Sequence, residues 1–344
     1  MALSSKLVFY FRFSRMSPEF GWNAALGHTI RRVTGSGGEL RGMFVATILG
    51  LGELLWDVLP AGPQLGGAPA NYTVMAGRLG NHAVVLSRIG RDALGERALE
   101  VLAPFPVDCG QLQVDEAQPT GTVTVELADG QPSYVIHQPV AWDFFELTEA
   151  WQAQAATADA VCFGSLGQRS EQSRRTIHAL VRATRPECQR IFDVNLRAPF
   201  YTGEIVRDSL ELASVMKMND IEVPLVLGLL GLPSEGTLRG GAERLLGAFS
   251  NLTLVAITRG GEGSLLVSRT EWDEHPGIPI QVADTIGAGD AFTAAMTYYL
   301  LKGAPLKAIN EAGNRWGSFV ASQSGAMPVL PPETLRRITA EIEG

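Results

Sequence analysis

The chain has 344 residues, of which 46 % are hydrophobic and 19 % charged, enough apolar material for one large α/β domain or two modest ones. A formal net charge of −8 argues against nucleic acid or an anionic membrane as partner, and no apolar run approaches the ~18 residues of a membrane span. Cys109, Cys162 and Cys188 are scattered and lack metal-ligand spacing, so free thiols and a reducing, cytoplasmic setting are expected.

Residues 1–42 differ from the rest, with Lys6, Arg12, Arg15, Arg31, Arg32 and Arg41 against only Glu19 and Glu39. An Arg-rich, acid-poor segment of this kind is read either as a targeting peptide or, preferably, as an extension outside the fold. The folded domain is then expected over 43–344. It opens with an apolar run at 44–52, a buried parallel strand. Helical spacing over 68–79 ends at Gly80, and 83–89 and 93–102 read as the next strand and helix. At 121–137 the pattern changes to strict alternation around Asp129-Gly130, the signature of a β-hairpin. Strand and helix then alternate again: strands at 160–163, 190–193, 215–218 and 253–258, helices at 171–182, 205–213 and about 238–249. A hairpin-like segment runs through Val267, followed by helices at 287–301 and 306–322 and a short C-terminal one. Such repetition implies a doubly wound, mostly parallel α/β sheet with helices on both faces. Segments 53–65 and 117–140 stand outside that series and are expected to form a small β-lid.

The chemistry is concentrated at Asp284-Thr285-Ile286-Gly287-Ala288-Gly289-Asp290. Small residues at 287–289 allow close backbone approach, and the helix they open points unpaired N–H groups at a ligand, an anion site for a phosphoryl group. Asp290, in the first turn, is placed to take a proton from a hydroxyl attacking that group. On Gly-x-Gly spacing alone, an ordinary helix start with glycines for packing is the plainer reading.

The string is similar to the D-T-x-G-A-G-D motif of the PfkB (ribokinase-like) carbohydrate kinases. Gly66-Gly67-Ala68-Pro69-Ala70-Asn71, with Gly77-Arg78-Leu79-Gly80 after it, resembles the family's N-terminal glycine motif, and the likeness extends in order over 44–335. The resemblance implies a ribokinase-like fold and a Mg·ATP-dependent kinase with Asp290 as general base and Gly287, Ala288 and Gly289 as anion hole. It implies that Asp57, Gly66, Gly67, Asn71 and Arg197 bind the sugar. Asn195 and Arg197 belong to Asp193-Val194-Asn195-Leu196-Arg197, similar to the family's D-P-N-x-R. Thr258, Gly260 and Gly263, with Asn195, would meet ATP, and Ala312, Asn314 and Gly325-Ala326 would line the adenine pocket. Asn219 and Glu222 match the N-x-x-E pattern associated with Mg²⁺, acting through water. Read alone they are a helix cap and a solvated helix residue. Asp284 is the candidate for a monovalent cation such as K⁺.

Three departures stand out. Val194 occupies a usual proline, Ile286 a common threonine, and the lid exit from His137 to Asp143 lacks the arginine common in fructokinases and 2-keto-3-deoxygluconate kinases. Gly52-Glu53-Leu54-Leu55-Trp56-Asp57 looks most like the fructokinase branch, so a ketose such as fructose is the expected acceptor, with a sugar acid or a nucleoside as alternatives. A non-catalytic sugar- or nucleotide-binding homologue is the reading from another class, opposed by the intact Asp290. Neither a dinucleotide fingerprint nor a G-x-x-x-x-G-K-[ST] loop occurs. The lid edge would suit pairing with a second copy, giving a homodimer.

Overall fold

A computed structural model describes residues 45–59, 62–128 and 131–343; the readings made for residues 1–42 and for the Asp129-Gly130 turn fall outside the described residues. The chain begins with β1 (Thr47–Leu51), β2 (Leu55–Leu59), β3 (Gly62–Gly66) and α1 (Ala68–Arg78). Next come β4 (His82–Leu86), β5 (Arg88–Gly90), α2 (Ala93–Leu102), β6 (Val107–Asp108), β7 (Gln113–Asp115), β8 (Gly121–Ala128) and β9 (Gln131–Ile136). The middle of the chain supplies α3 (Glu149–Thr157), β10 (Ala160–Gly164), α4 (Glu171–Ala183), β11 (Gln189–Asp193), α5 (Gly203–Leu212), β12 (Val215–Asn219) and α6 (Glu222–Leu230). It ends with α7 (Leu238–Ala248), β13 (Leu254–Thr258), β14 (Ser264–Ser268), β15 (Trp272–His275), α8 (Ala288–Leu301), α9 (Leu306–Ala321) and α10 (Pro332–Glu343).

Nine strands form one sheet in the order β15-β14-β13-β12-β11-β10-β1-β4-β6. Its pairs are parallel from β6 to β13 and antiparallel across β13, β14 and β15. The central strands are short and almost wholly buried, because helices cover both faces. Trp151, Ile177, Val206, Val226 and Leu245 bring α3 to α7 onto one face. Tyr72, Met296, Trp316 and Ile338 bring α1, α8, α9 and α10 onto the other. This is the doubly wound α/β architecture that the strand–helix alternation implies.

A second sheet, ordered β3-β2-β8-β9, draws its strands from the two segments outside that alternation. β2 runs parallel to β8, from Leu55 opposite Gly121 to Val58 opposite Thr124, while β3 and β9 flank them antiparallel. No helix among the described residues is long and apolar enough to cross a membrane.

Several elements depart from the sequence reading. The run at 83–89 splits at Ser87: β4 stays in the main sheet, whereas β5 pairs with β7 in a separate ribbon. An unbroken apolar run carries no mark of where the hydrogen-bonding partner changes. Helix α3, capped by the Thr148 hydroxyl accepting from Trp151 N, has weak amphipathic spacing and was not anticipated. Nor was α6, whose Pro224 is tolerated because it sits in the first turn, where its missing N–H has no helical partner to lose.

Candidate active site

In a parallel sheet the strand ends and the loops leaving them converge on one edge. Gly164, Asp193, Asn219 and Thr258 close β10 to β13, and all four line one cavity of about 570 Å³. The lid supplies Leu55, Asp57, Val123, Tyr134 and Ile136, and the starts of α1 and α8 supply Gly67, Asn71, Gly287, Gly289 and Asp290.

The start of α8 is fixed by Gly287. Its φ of 76° is left-handed, and a Cβ there would lie 2.7 Å from Ala326, so an L side chain is excluded twice. Gly287 and Gly289 line the cavity at this helix start, while the Ala288 amide donates to Thr285 O at 3.3 Å. Asp290 follows in the first turn and is 8 % exposed. Asn71 Nδ2 donates to its Oδ2 at 2.8 Å. Burial pushes the Asp290 carboxyl up to about 6, with the neighbouring Asp193 adding to the effect and Lys217, Asn71 and Arg197 opposing it.

Lys217 and Asp193 form a buried ion pair below this carboxylate. Lys217 Nζ stands 3.1 and 3.2 Å from the two Asp193 oxygens, and Thr293 Oγ1 donates to Asp193 Oδ2 at 2.9 Å. A Cβ on Gly289 would come within 3.0 Å of Lys217 Nζ, so the ammonium lies beside the helix start. Sequence reasoning passed over Lys217, although a lone cation inside Val215-Met216-Lys217-Met218-Asn219 was a readable signal.

The remaining expected residues divide into three groups. Asp57, Gly67, Asn71, Asn195, Arg197, Asn219, Thr258, Gly287, Gly289 and Asp290 all reach the cavity. Gly67 has φ 106°, and a Cβ on it would lie 2.3 Å from Glu53 O, which explains the glycine that opens α1. Burial pushes the Asp57 carboxyl up, with Arg197 opposing.

A second group shapes the cavity without lining it. A Cβ on Gly66 would sit 2.7 Å from Asp57 Oδ2, so that glycine makes room for the carboxylate. Glu222 and Asn219 cap each other: Glu222 Oε2 accepts from Asn219 N and Asn219 Oδ1 accepts from Glu222 N, both at 2.8 Å. Glu222 Oε1 accepts from Leu196 N at 2.7 Å, tying down the loop that carries Asn195 and Arg197. Both carboxylate oxygens are thus held by backbone amides, and no group of three His, Cys, Asp or Glu side chains is arranged for a metal among the described residues. Asp284 likewise accepts from Ile286 N and Gly325 N, joining the loop before α8 to the one after α9.

A third group lies elsewhere. Asn314, expected in the adenine pocket, is buried between α9 and β14, where Nδ2 donates to Ser264 Oγ at 2.7 Å and to Asn310 O. Gly260 and Gly263 form the turn between β13 and β14 outside the cavity wall, and the Ala288 carbonyl is turned toward Gly317 of α9.

Two of the three departures meet specific contacts, and nothing in the structure explains the third, Ile286. Val194 N donates to Lys217 O at 2.9 Å, a bond proline lacks. At the lid exit, Arg169 arrives from the loop after β10. Its guanidinium pairs with Asp143 at 2.7 and 2.8 Å, donates to His137 O and lies 3.8 Å from the Trp142 ring. Buried in this way it anchors the lid and does not face the cavity. His137 is similarly engaged, its Nε2 2.9 Å from Thr124 Oγ1.

Residues 62–333 match the model of the pfkB family carbohydrate kinases. The chain belongs to this family. A fructokinase of Klebsiella pneumoniae is 31 % identical over 300 residues, spanning 82 % of this chain and 95 % of its own. The crystal structure of an uncharacterized sugar kinase from Pyrococcus horikoshii superposes with a TM-score of 0.74 at 27 % identity, covering 87 % of this chain and 100 % of that one. A Vibrio cholerae fructokinase, solved with fructose, ADP and calcium, shares the fold at TM-score 0.71 and 23 % identity, over 86 % and 99 % of the two chains. The protein is therefore a PfkB sugar kinase, a phosphotransferase with an alcohol group as acceptor.

Proposed function

We propose that this kinase transfers the γ-phosphoryl group of Mg·ATP to a hydroxyl of a neutral ketose such as fructose, with Asp290 as general base. The observation that carries the reading is the setting of Asp290: buried at the start of α8, held by Asn71, and with proton affinity raised to about 6. A carboxylate so poised is ionised at neutral pH yet basic enough to accept a proton as the hydroxyl attacks. The α8 amides and Gly289 would receive the phosphoryl charge, with Lys217 adding a fixed cation beside them. Mg²⁺ would arrive with ATP as part of the substrate. Glu222 suits an indirect part, holding the Asn195–Arg197 loop and reaching the metal only through water. Asp284 stays the candidate for a monovalent cation, and a homologous fructokinase was solved with potassium.

Among the described residues lining the cavity the cations are Arg197 and Lys217, and Lys217 is paired with Asp193. Four carboxylates, Glu53, Asp57, Asp193 and Asp290, share the same wall. That balance favours a polyol over a sugar acid, whose own carboxylate would meet a single unpaired guanidinium. The relatives named fructokinase agree. ADP release with fructose, ribose, 2-keto-3-deoxygluconate and adenosine is the test. Turnover with fructose and none with the sugar acid is expected; the reverse order overturns the substrate assignment. Strands β3 and β9 leave lid edges on which a second copy would pair, a point that the mass in solution decides.

A further inference from the structure

Glu53 is the one carboxylate of the cavity wall that the phosphoryl-transfer scheme leaves without a task. It follows β1, is 5 % exposed, and lines the cavity between the lid and the start of α1. Its Oε2 is buried and has no hydrogen-bond partner. A Cβ built on Gly167, in the loop after β10, would lie 3.5 Å from that oxygen and 3.5 Å from Ile177 Cδ1, so this part of the wall is closely packed. Gly67 packs against the Glu53 carbonyl, which fixes the residue's backbone beneath the glycine motif.

We infer that Glu53 is an acceptor-binding residue of this kinase, working as a neutral carboxylic acid that donates a hydrogen bond to an oxygen of the sugar. The inference rests on the sugar-kinase reading of the cavity and adds to it a donor on the side where the other carboxylates offer only acceptors. An ionised carboxylate with an orphaned buried oxygen pays a full desolvation cost, whereas a neutral acid pays less and gains a donor. The charged and titratable groups lining the cavity with it are Asp290 on α8, Asp57 on β2, Asp193 on β11, Lys217 on β12, Cys162 on β10, Tyr72 on α1, Tyr134 on β9 and Arg197 after β11. Burial is the main cause that pushes the Glu53 carboxyl up to about 7, Asp290 adds to it, and the amides of Glu53 and Ala68 with Arg197 oppose it. Such a group is neutral below that value and loses its donor proton as pH rises through it. Sugar binding to the neutral form raises the value further, so the alkaline limb of kcat lies above that of kcat/KM.

The test compares Glu53→Gln and Glu53→Ala with the full-length enzyme. Alanine is expected to raise KM for the sugar roughly 10- to 100-fold, with a smaller change in kcat. Glutamine keeps an N–H donor, recovers most of that loss, and abolishes the alkaline limb. Infrared difference spectra of wild type minus Glu53→Gln add a readout that needs no turnover. A protonated-carboxyl band at pH 6 that fades by about pH 8 and shifts when fructose is added supports the assignment. Absence of that band at pH 6, or a glutamine variant as impaired as alanine, overturns it. A wild type that turns over no sugar while the band still responds to fructose refutes the kinase assignment of the site and leaves Glu53 as a sugar ligand.

Discussion

Replacing Asp290 by asparagine removes the proposed base and should also stabilise the protein. The carboxyl rises from the ordinary aspartate value of 3.8 to about 6 on folding, so the folded state holds its ionised form at a cost. The sign follows from linkage: a carboxyl whose folded pKa is raised contributes stability below the unfolded value and loses it as pH climbs through the folded one. The difference corresponds to about 3 kcal/mol above pH 7, shrinking to under about 1 kcal/mol at pH 4. Asparagine is nearly isosteric, and its side-chain oxygen still accepts from Asn71 Nδ2, so the contact at 2.8 Å survives. Urea unfolding of both proteins at pH 4 and pH 8 measures the effect. The variant should gain stability over wild type as pH rises; an advantage independent of pH, or a wild type more stable at pH 8, refutes the reasoning.

Other outcomes follow from the neighbouring contacts. Lys217→Met leaves Asp193 buried with only Thr293 and should cost about 3–5 kcal/mol in urea unfolding, while moving the acid limb of kcat/KM to higher pH because a cation opposing the Asp290 shift is gone. Val194→Pro, which restores the commoner residue of the family motif, removes the bond to Lys217 O and should destabilise by about 1–3 kcal/mol, read as a lowered Tm. Glu222→Gln keeps one acceptor oxygen for two backbone amides, Leu196 N and Asn219 N, and should raise KM for ATP by loosening the loop that carries Asn195. In wild type, kcat/KM should fall about tenfold per pH unit below about 6 as Asp290 takes up its proton.

The sheet was legible because β10 and β11 each combine a short buried apolar run with a strongly amphipathic helix after it, α4 and α5. The split at Ser87 was not, since burial is the same on both sides of it and only the hydrogen-bonding partner changes. Of the site, Asp290, Asn71 and Asp57 could be read from motifs and do share one cavity, whatever roles experiments assign them. Lys217 was passed over because its apolar neighbours dominated the strand's pattern, although a lone cation among them is itself a signal. For Asn314 the pattern did not give the partner: a polar residue on a helix face does not say what it meets, and its amide donates to Ser264 Oγ. At the lid exit, Asp143 is paired with Arg169, 26 residues away in sequence, and contact at that distance comes only from the fold.

The claim on which the rest depends is that Asp290 drives phosphoryl transfer to a sugar hydroxyl. The direct measurement is sugar-dependent ADP formation by purified wild type and Asp290→Asn at pH 7.5, with Mg·ATP and fructose saturating. A loss of several orders of magnitude in kcat, in a variant at least as stable as wild type, is the predicted result. Turnover by Asp290→Asn within about tenfold of wild type would contradict the account.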